Sequence, residues 1–390
     1  MSRIILGDRH LFPSLSHSIY LNHAAVSPIS TRVNQAINTI TNDYMQHGVS
    51  AFVRWMEQRE GLREKLSLFL GCKSTELAFI QNTSTGVIQV AQNLNWKKGD
   101  RIGLFNGEFP TNITPWKQSA LHKSLTIHWF EANDFTSHGS GLEQLEQELK
   151  KGLRLIAVSA VQFQTGLRMP IEHIGKLCNR YDCLLFVDGI QAIGSTPVNL
   201  THIDYLSCGG HKWLMGVEGT GFLYSKQSKQ NHISKVSSSW LSHEDGLSFL
   251  FDGPNLLKYD RPIKDNISSI EGGSYNAIGL AALEASIDIL SDLGVESIHS
   301  HINHYIDVLE PKLLELGFTS NRDPKAKSGI LSLTPPHSTR GEYLTPLLEK
   351  RGVSVSYPDG FLRISPHWPN NVSEIDELVQ AIQETILEID

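Results

Sequence analysis

The chain alternates short apolar runs with amphipathic stretches, and this alternation constrains its fold more than any other feature. The clearest run is Cys183–Val187, which is apolar throughout and leads directly into Asp188. A near-continuous apolar strand of this kind is typical of a parallel sheet that is covered on both faces. Further strands, separated by helical patterns, are predicted at residues 77–80, 101–106, 125–130 and 153–159. Repeated strand–helix–strand units predict an α/β fold with a doubly wound, mostly parallel sheet.

The character of the sequence changes after about residue 230. The stretch 237–269 is rich in loop-forming residues, and helical patterns, two short strand patterns and a terminal amphipathic helix follow it. We therefore expect a large α/β domain over residues 20–260. Residues 261–390, completed by the N-terminal segment 1–19, are expected to form a small α+β domain.

Charge and hydropathy exclude several classes of protein. The 390 residues include 34 basic and 41 acidic side chains, a formal net charge of −7, and no basic block, so nucleic acid is not an expected partner. No apolar stretch approaches the ~18 residues of a membrane span, and the N-terminus lacks the pattern of a secretory signal. The cysteines fit neither a disulfide framework nor a paired zinc site. We expect a cytoplasmic protein without a metal site; the cysteines are Cys72, Cys178, Cys183 and Cys208.

Residues that can carry chemistry collect around Lys212. Asp188 stands at the end of a strand pattern, and ligands of parallel α/β sheets gather at the carboxyl ends of strands. Gln191 follows three residues later and can face the same crevice. Lys212 comes shortly after the next predicted strand, with glycines on both sides that allow the backbone to approach a bound group closely. A buried lysine loses part of its proton affinity, which makes it a candidate Schiff-base amine.

A second group of residues is suited to a phosphate. The segment Asn82-Thr83-Ser84-Thr85-Gly86 follows a predicted strand and opens a predicted helix, so that backbone N–H groups and hydroxyls can face one dianion. Phe109 ends another strand and could stack on an aromatic ring. Pyridoxal 5′-phosphate (PLP) needs this combination, because a carboxylate keeps its pyridine nitrogen protonated and an amine moves the Cα proton.

Each of these residues also has an ordinary structural interpretation. A glycine-flanked lysine is usually a solvated loop residue, and Asp188 alone could cap a strand end. Ser84 could be a helix N-cap, and Phe109 could belong to the core. The order of the residues along the strands is what favours a site. The glycines at 216–221 lack the spacing of a nucleotide-binding loop.

In this order the motifs resemble the class V aminotransferases of PLP fold type I, a group that includes cysteine desulfurases, kynureninase and isopenicillin N epimerase. The resemblance runs from Tyr20-Leu-Asn-His-Ala-Ala-Val-Ser-Pro28 to Leu362-Arg-Ile-Ser-Pro-His367 and so covers nearly the whole chain. Its specific part is Asp188-x-x-Gln191 followed by Gly-His-Lys212. The resemblance implies the type I fold, with its large doubly wound domain and small α+β C-terminal domain, PLP as cofactor, and a homodimer with the active site at the interface.

The resemblance also implies a role for each matched residue. Lys212 would be the catalytic lysine that forms the Schiff base, Asp188 would pair with the pyridine nitrogen, and Gln191 would contact the ring oxygen. Ser274 would reach the phosphate from the other subunit. The residues expected to bind the cofactor are Thr83, Ser84, Phe109, Gln162, Asp188, Gln191, His211, Lys212 and Ser274. Those expected to bind an amino-acid substrate are Asn22, His23 and Arg363. The planar guanidinium of Arg363 suits a carboxylate, whereas His23 could equally be a packing residue of the interior.

Departures from the family pattern bear on the reaction. Cysteine desulfurases carry a nucleophilic cysteine on a loop before the carboxylate-binding arginine, whereas the segment 353–363 has none and no cysteine follows Cys208. Phe109 stands where many relatives have histidine, which favours the kynureninase-like and epimerase-like branches. Gly209 stands where many relatives place serine or aspartate, which leaves that phosphate contact missing or assigned to Ser207 or Cys208. Gln162 would take the place of the asparagine that binds the ring oxygen in cysteine desulfurases.

We therefore expect an enzyme that acts on an amino acid through Lys212, with transamination as the first interpretation. Elimination at Cβ or epimerisation is the alternative within enzymes, and desulfurase chemistry comes third. A protein of the same fold that has lost catalysis and serves as a binding partner is the non-enzyme alternative. The retained lysine, aspartate and arginine argue against it.

Overall fold

The computed structural model describes residues 4–336 and 340–389. Its strands are β1 (Ile19–Tyr20), β2 (Leu77–Ile80), β3 (Arg101–Asn106), β4 (Thr126–Glu131), β5 (Leu155–Ser159), β6 (Leu184–Asp188), β7 (Tyr205–Gly209), β8 (Gly221–Ser225), β9 (Thr319–Ser320), β10 (Leu331–Thr334), β11 (Val353–Ser354) and β12 (Leu362–Ile364). Its α-helices are α1 (Thr31–His47), α2 (Phe52–Leu70), α3 (Thr83–Asn93), α4 (Thr114–Lys123), α5 (Gly141–Lys150), α6 (Ile171–Arg180), α7 (Ser248–Phe251), α8 (Ala277–Leu293), α9 (Val295–Glu315), α10 (Leu344–Lys350) and α11 (Ile375–Ile389).

A seven-stranded sheet of order β2-β8-β7-β6-β5-β3-β4 forms the centre of the molecule. The five strands from β7 to β4 in this order run parallel, and β8 runs antiparallel to both of its neighbours. The prediction of a mostly parallel α/β sheet is confirmed. The reversed strand β8 was not predicted, since a five-residue apolar run carries no sign of its direction in a sheet.

Both faces of this sheet are buried. In β5, Ile156 and Val158 belong to one apolar cluster, whereas Leu155 and Ala157 belong to a second cluster that includes residues of α3 and α4. Consecutive side chains of a strand point to opposite faces, so a strand covered on both sides needs apolar residues at every position. The apolar runs in the sequence are therefore a direct consequence of the double winding.

The C-terminal part of the chain builds smaller sheets. Strands β9, β10 and β12 form an antiparallel sheet of order β12-β10-β9, and α9 packs against α11. The N-terminal strand β1 pairs in parallel with β11, so the start of the chain is joined to its last third. The division into domains at residues 20–260 and at 1–19 with 261–390 stays a prediction.

Most predicted elements occur with bounds shifted by a few residues. Helix α8 begins at Ala277, because Asn276 caps it by accepting a hydrogen bond from Gly279 N at 3.0 Å. Helices α1 and α2 were not predicted. In the described ranges, no helix is long and apolar enough to cross a membrane, and no three His, Cys, Asp or Glu side chains are grouped to hold a metal.

Candidate active site

Lys212 lies on a tight loop between β7 and β8, at the carboxyl edge of the parallel strands. Gly210 N donates to Thr220 O at 2.8 Å, and Met215 N donates to Lys212 O at 2.9 Å. From the N-terminal segment, Ser27 Oγ also donates to Lys212 O, at 2.6 Å. A Cβ atom on Gly210 would lie 3.0 Å from Thr220 Oγ1, so glycine allows the loop to close against β8. The loop backbone is therefore fixed, and the lysine side chain remains free.

The Lys212 side chain is partly buried and lacks a hydrogen-bond partner for its amine among the described residues. Its Nζ lies 5.8 Å from the centre of the Phe109 ring, and it makes no hydrogen bond with any residue in the described ranges. Burial, and after it the positive charge of Arg363, lowers the pKa of Lys212 to about 8, against the opposing effect of Asp188. A lysine with this pKa supplies a substantial fraction of neutral, nucleophilic amine near neutral pH.

Asp188 ends β6 beside this lysine and is only 2% exposed. Its Oδ1 accepts a hydrogen bond from Ile190 N at 3.0 Å, whereas its Oδ2 has no hydrogen-bond partner in the described part of the chain. Burial raises the pKa of Asp188 to about 7, and the nearby Glu108 carboxyl adds to this shift. A buried carboxyl with one open oxygen is suited to hold a protonated ring nitrogen.

The start of helix α3 is tied to strand β7. Thr83 Oγ1 accepts a hydrogen bond from Gly209 N at 2.9 Å, and Ser207 Oγ donates to Thr83 O at 2.9 Å. A Cβ atom on Gly86 would lie 2.2 Å from Ser207 Oγ, so glycine is required for this close approach of helix and strand. The predicted phosphate cradle is therefore held against the strand that leads to the Lys212 loop.

The cradle itself is the first turn of α3. Asn82 caps the helix through a 2.9 Å hydrogen bond from Thr85 N to its Oδ1, so the N-cap is Asn82 rather than Ser84. Ser84 Oγ is instead 2.8 Å from Thr111 Oγ1. The turn presents hydroxyls and helix N–H groups together, which fits a phosphate dianion. His211 flanks the cradle, half-buried, and burial together with Lys212 lowers its pKa.

The space around Gly209 is too tight for a side chain unless its neighbours shift slightly. A Cβ atom there would lie 3.2 Å from Ile190 Cδ1 and 3.3 Å from Thr83 Oγ1. Neither suggested replacement is free for a phosphate, since Ser207 donates its hydroxyl proton to Thr83 and the buried Cys208 thiol donates to Gly209 O. The thiol is 1% exposed and lies near Asp188, with its pKa raised well above the ordinary value by burial.

Phe109 stands at the mouth of the site. Its side chain is 47% exposed, and its ring packs edge-on against Phe163 at 5.2 Å between centroids and 81° between planes. One face of Phe109 is thus turned to open space near Lys212, and this fits a stacked ring.

Sequence reasoning missed Glu108, the neighbour of Phe109. Glu108 is 8% exposed and accepts hydrogen bonds from Ser159 N at 2.6 Å, from Ser159 Oγ, from Gln162 Nε2 at 2.9 Å and from Asn112 Nδ2 at 3.3 Å. Burial raises its pKa, and the donors oppose that shift. The only sequence signal was an acidic residue just after a strand end; its partners lie up to 54 residues away.

The two predicted glutamines are held differently. Gln162 donates to Glu108 at the same strand edge as Asp188. Gln191 is 2% exposed, donates through Nε2 to Ala24 O at 3.0 Å and accepts through Oε1 from Trp213 Nε1 at 2.8 Å. The second N–H of the Gln191 Nε2 has no hydrogen-bond partner in the described part of the chain and could donate to a ring oxygen. In this structure Gln191 joins the N-terminal segment to the Lys212 loop.

Arg363 lies in β12 and points a partly free guanidinium toward Lys212. Its Nε donates to Ser356 Oγ and its Nη1 to Phe163 O, each at 2.9 Å, while its Nη2 has no hydrogen bond with the described residues. Arg363 is 6% exposed, and burial lowers its pKa to about 10. Asn22 lies on the adjoining strand edge and has a buried Oδ1 without a hydrogen-bond partner. Both residues therefore offer unused polar atoms to a ligand.

His23 and Ser274 are not brought to the same place. His23 is 2% exposed, and its Nδ1 lies 2.7 Å from Ser27 Oγ, whose proton is given to Lys212 O. Its ring packs against His367 at 5.2 Å, and burial lowers its pKa well below the ordinary value, so its contacts are those of an interior residue. Ser274 is exposed, and no hydrogen bond joins it to the other predicted cofactor residues.

Taken together, the free atoms fit PLP. Lys212 Nζ, Asp188 Oδ2 and Arg363 Nη2 are available in one region, with the Phe109 face above and the α3 cradle beside it. These residues would hold the aldehyde carbon, the ring nitrogen and the carboxylate of an amino-acid substrate, respectively, while the cradle would hold the phosphate.

Comparison with known proteins supports the same assignment. The family model for class-V aminotransferases matches residues 19–360. The chain is 25% identical over 402 residues to a probable cysteine desulfurase of Methanothermobacter thermautotrophicus, covering 96% of each protein. It is also 25% identical over 348 residues to the isopenicillin N epimerase of Amycolatopsis lactamdurans, covering 83% of each.

Solved structures show the same fold. The apo cysteine desulfurase of Thermococcus onnurineus has a TM-score of 0.86 at 23% identity, with 100% of both chains covered. A cystine C-S lyase in complex with its product cysteine persulfide has a TM-score of 0.88 at 21% identity, covering 96% of this chain and 99% of the lyase. A mutant of the same lyase carries glycine covalently linked to PLP. The chain therefore belongs to the class-V aminotransferase family of PLP-dependent enzymes.

Proposed function

We propose that this enzyme cleaves the Cβ–S bond of a sulfur-containing amino acid by elimination, with Lys212 as the group that moves the Cα proton. The observation that carries the proposal is the placement of the free Lys212 amine between Asp188 and Arg363, while no cysteine follows Cys208 in the sequence. The amine supplies a base, and the loop that would carry a sulfur-accepting thiol in a desulfurase has none.

The residues divide the work as follows. Arg363 Nη2 binds the substrate carboxylate, Asp188 Oδ2 holds the proton of the ring nitrogen, and the α3 cradle holds the phosphate. PLP, when bound, supplies the electron sink for the charge that develops at Cα. Lys212 Nζ takes the Cα proton and can return it to the departing sulfur. For a substrate R–S–CH2–CH(NH2)–COOH, the products after uptake of one water are R–SH, pyruvate and ammonia.

Two relatives support a sulfur substrate. The names of a cystine C-S lyase and of probable cysteine desulfurases refer to sulfur amino acids, and these proteins align with almost the whole chain. Transamination uses the same Lys212 step and differs in that the amino nitrogen stays on the cofactor until an acceptor keto acid arrives. Epimerisation needs a second proton carrier, and the candidate His23 is buried and bonded to Ser27.

We further propose a cytoplasmic homodimer, in which Ser274 contacts the phosphate in the partner's site. Exposed apolar side chains occur at the α1–α2 corner and on α7, which fits a surface that a second copy covers; they are Met45, Val49, Val53, Leu250 and Phe251. All four cysteines are free, which fits a reducing compartment. Sedimentation of the purified protein tests the dimer.

The reaction is tested with the purified enzyme. Added PLP should give a yellow protein, borohydride should fix the cofactor to Lys212, and Lys212→Ala should abolish the fixation. Incubation with L-cystine or L-cysteine in the absence of any keto acid should then release ammonia and pyruvate, together with cysteine persulfide from cystine and hydrogen sulfide from cysteine. Nitrogen transfer that depends on an added keto acid, without ammonia release, would favour transamination instead. A racemised amino acid would favour epimerisation.

A further inference from the structure

Glu108 is a buried acid that the proposed mechanism does not use. It follows β3 directly before Phe109 and is 8% exposed. No ion pair joins it to a lysine, arginine or histidine in the described part of the chain. Burying a carboxylate without an ion-pair partner costs free energy, so a buried Glu108 beside a reactive lysine indicates a role other than stabilising the fold.

The hydrogen bonds of Glu108 favour its ionised form. Its Oε1 accepts from Ser159 N and Gln162 Nε2, and its Oε2 accepts from Asn112 Nδ2 and Ser159 Oγ. The backbone N–H can only donate, and the Asn112 amide is oriented by a 3.1 Å hydrogen bond from Trp116 Nε1 to its Oδ1. A carboxyl surrounded by donors is most stable as an anion. Burial raises the pKa of Glu108 and these donors oppose that shift, so the hydrogen bonds favour a negative charge that no cation in the described part of the chain neutralises directly.

This charge lies next to the Asp188 carboxyl. Ser159, which bonds both oxygens of Glu108, is the register partner of Asp188 across the β5–β6 pair. The next residue, Ala160, donates its N–H to Asp188 O at 2.9 Å. The charged and titratable groups that act on this pair of carboxyls are Lys212 and the Cys208 thiol, which both interact with Asp188, and Arg363, which acts on Lys212. Asp188 has one hydrogen-bond donor, whereas Glu108 has four contacts, so a proton entering the pair resides on Asp188.

We propose that Glu108 is a positioning residue whose fixed negative charge keeps a proton between Asp188 and the cofactor ring nitrogen, while its hydrogen bond orients the Gln162 amide at the ring edge. The proposal rests on the proposed use of PLP. A second anion behind Asp188 makes loss of the shared proton less favourable, since deprotonation would leave two neighbouring negative charges. The ring nitrogen of the cofactor would thus stay protonated over a wider pH range than with Asp188 alone.

The test is a pH titration of the ring-nitrogen NMR signal of lysine-bound, nitrogen-15-labelled PLP, which reports the ring-nitrogen proton directly. In Glu108→Gln the negative charge is lost, so the midpoint of the titration should fall by about one pH unit, the order expected for a unit charge in a low-dielectric site. The double variant Glu108→Gln with Gln162→Glu places the carboxylate at position 162 and the amide at position 108. It restores the negative charge and the hydrogen bond between the two side chains, with donor and acceptor exchanged. Its midpoint should return toward the wild-type value.

Controls separate charge from fold and from the proposed function. Glu131→Gln removes a carboxylate at the end of β4, at the same edge of the sheet but exposed to solvent, and should leave the midpoint unchanged. If Glu108→Gln does not fold, Ser159→Ala serves instead. It weakens the ionised form of Glu108 and should also lower the midpoint.

An unchanged midpoint in a folded, PLP-binding Glu108→Gln protein would overturn the inference and leave the proposed function intact. The same holds if the charge-swapped variant titrates like Glu108→Gln. A wild-type protein that binds no PLP would overturn the proposed function itself.

Discussion

Two regions of the molecule bury charge in opposite ways. In the anchor cluster, made of Arg59, Arg63 and Glu271, the acid is bonded directly to both arginines. In the reactive cluster, made of Lys212, Asp188, Arg363 and Glu108, no two opposite charges in the described ranges form an ion pair. In the anchor cluster the opposite charges neutralise each other. The reactive cluster keeps atoms free for a ligand, at a cost in stability.

The anchor cluster joins three parts of the chain. Arg63 donates to Glu271 at 2.7 and 3.0 Å, and Phe79 N in β2 donates to Glu271 Oε1 at 2.7 Å. The Arg59 guanidinium lies 3.7 Å from the centre of the Tyr275 ring. Glu271 thus holds helix α2, the strand that leads into the phosphate cradle, and the segment that presents Ser274.

The largest effect on stability is expected from Glu271→Gln. The substitution leaves two buried arginines with only the solvent-exposed Glu60 as an anion, so the free energy of unfolding should fall by about 3–5 kcal/mol. Urea denaturation measures it. The matched control is Glu60→Gln, which removes a carboxylate bonded to the same arginines but 55% exposed, and should cost under ~1 kcal/mol. Equal losses in the two variants would contradict the assignment of Glu271 as the anchor.

In the reactive cluster the largest expected effect is on ligand binding. Arg363→Gln removes the cationic Nη2 that we assign to the substrate carboxylate, so amino-acid affinity should fall roughly 30- to 100-fold, or about 2–3 kcal/mol. PLP affinity should stay within a few-fold of wild type. Titration of the cofactor absorbance with amino acid measures both. Arg168→Gln, a half-buried arginine bonded to Pro197 O, is the control and should bind substrate normally.

Asp188→Asn should separate stability from function. The folded pKa of Asp188 is raised to about 7 from an ordinary value of 3.8, so its ionisation opposes folding as the pH rises from about 4 to 7. The apo variant should therefore be more stable than wild type above pH 7, by on the order of 4 kcal/mol, and equally stable below pH 4. Thermal unfolding of the apoproteins at several pH values measures this.

The cofactor response supplies the other half of that test. Asp188→Asn should lose most of the amino-acid-induced spectral change, because an amide holds the ring-nitrogen proton poorly. Asp204→Asn, which alters another buried acid with a raised pKa, should keep it. If Asp188→Asn destabilises the apoprotein at pH 8, the view that reactive charges are kept at a cost is wrong.

The sequence predicts the sheet well, since its signal is local. Strands β2 and β3 have the predicted bounds, because a short apolar run is enough to predict a strand that is covered on both faces. Helices α1 and α2 were missed for the opposite reason. In α1 only Val33 and Ile40 are buried among 17 residues, which leaves little apolar periodicity to read.

Site residues divide along the same line. Asp188 and Lys212 follow strand ends directly, so their convergence could be inferred from the order of strands. Glu108 and Gln191 take their roles from partners distant in sequence. Gln191 forms hydrogen bonds with Ala24, 167 residues away, and with Trp213, 22 residues away. No spacing pattern in the sequence predicts such contacts.

The smallest expected effect concerns Gly209, where relatives of the predicted family place a serine or aspartate. Gly209→Ser adds a side chain whose Cβ would lie 3.2–3.4 Å from Ile190, Thr83 and His211, all of them side-chain atoms that can shift by a few tenths of an ångström. The new hydroxyl competes for Thr83 Oγ1, so PLP should bind about two- to five-fold more weakly, a change of at most ~1 kcal/mol. Gly61→Ser, at a position with open space around it, controls for the added side chain. Tighter PLP binding by Gly209→Ser would instead mean that the cradle lacks a phosphate contact which serine restores, and that the free atoms of the reactive cluster include one unfilled position.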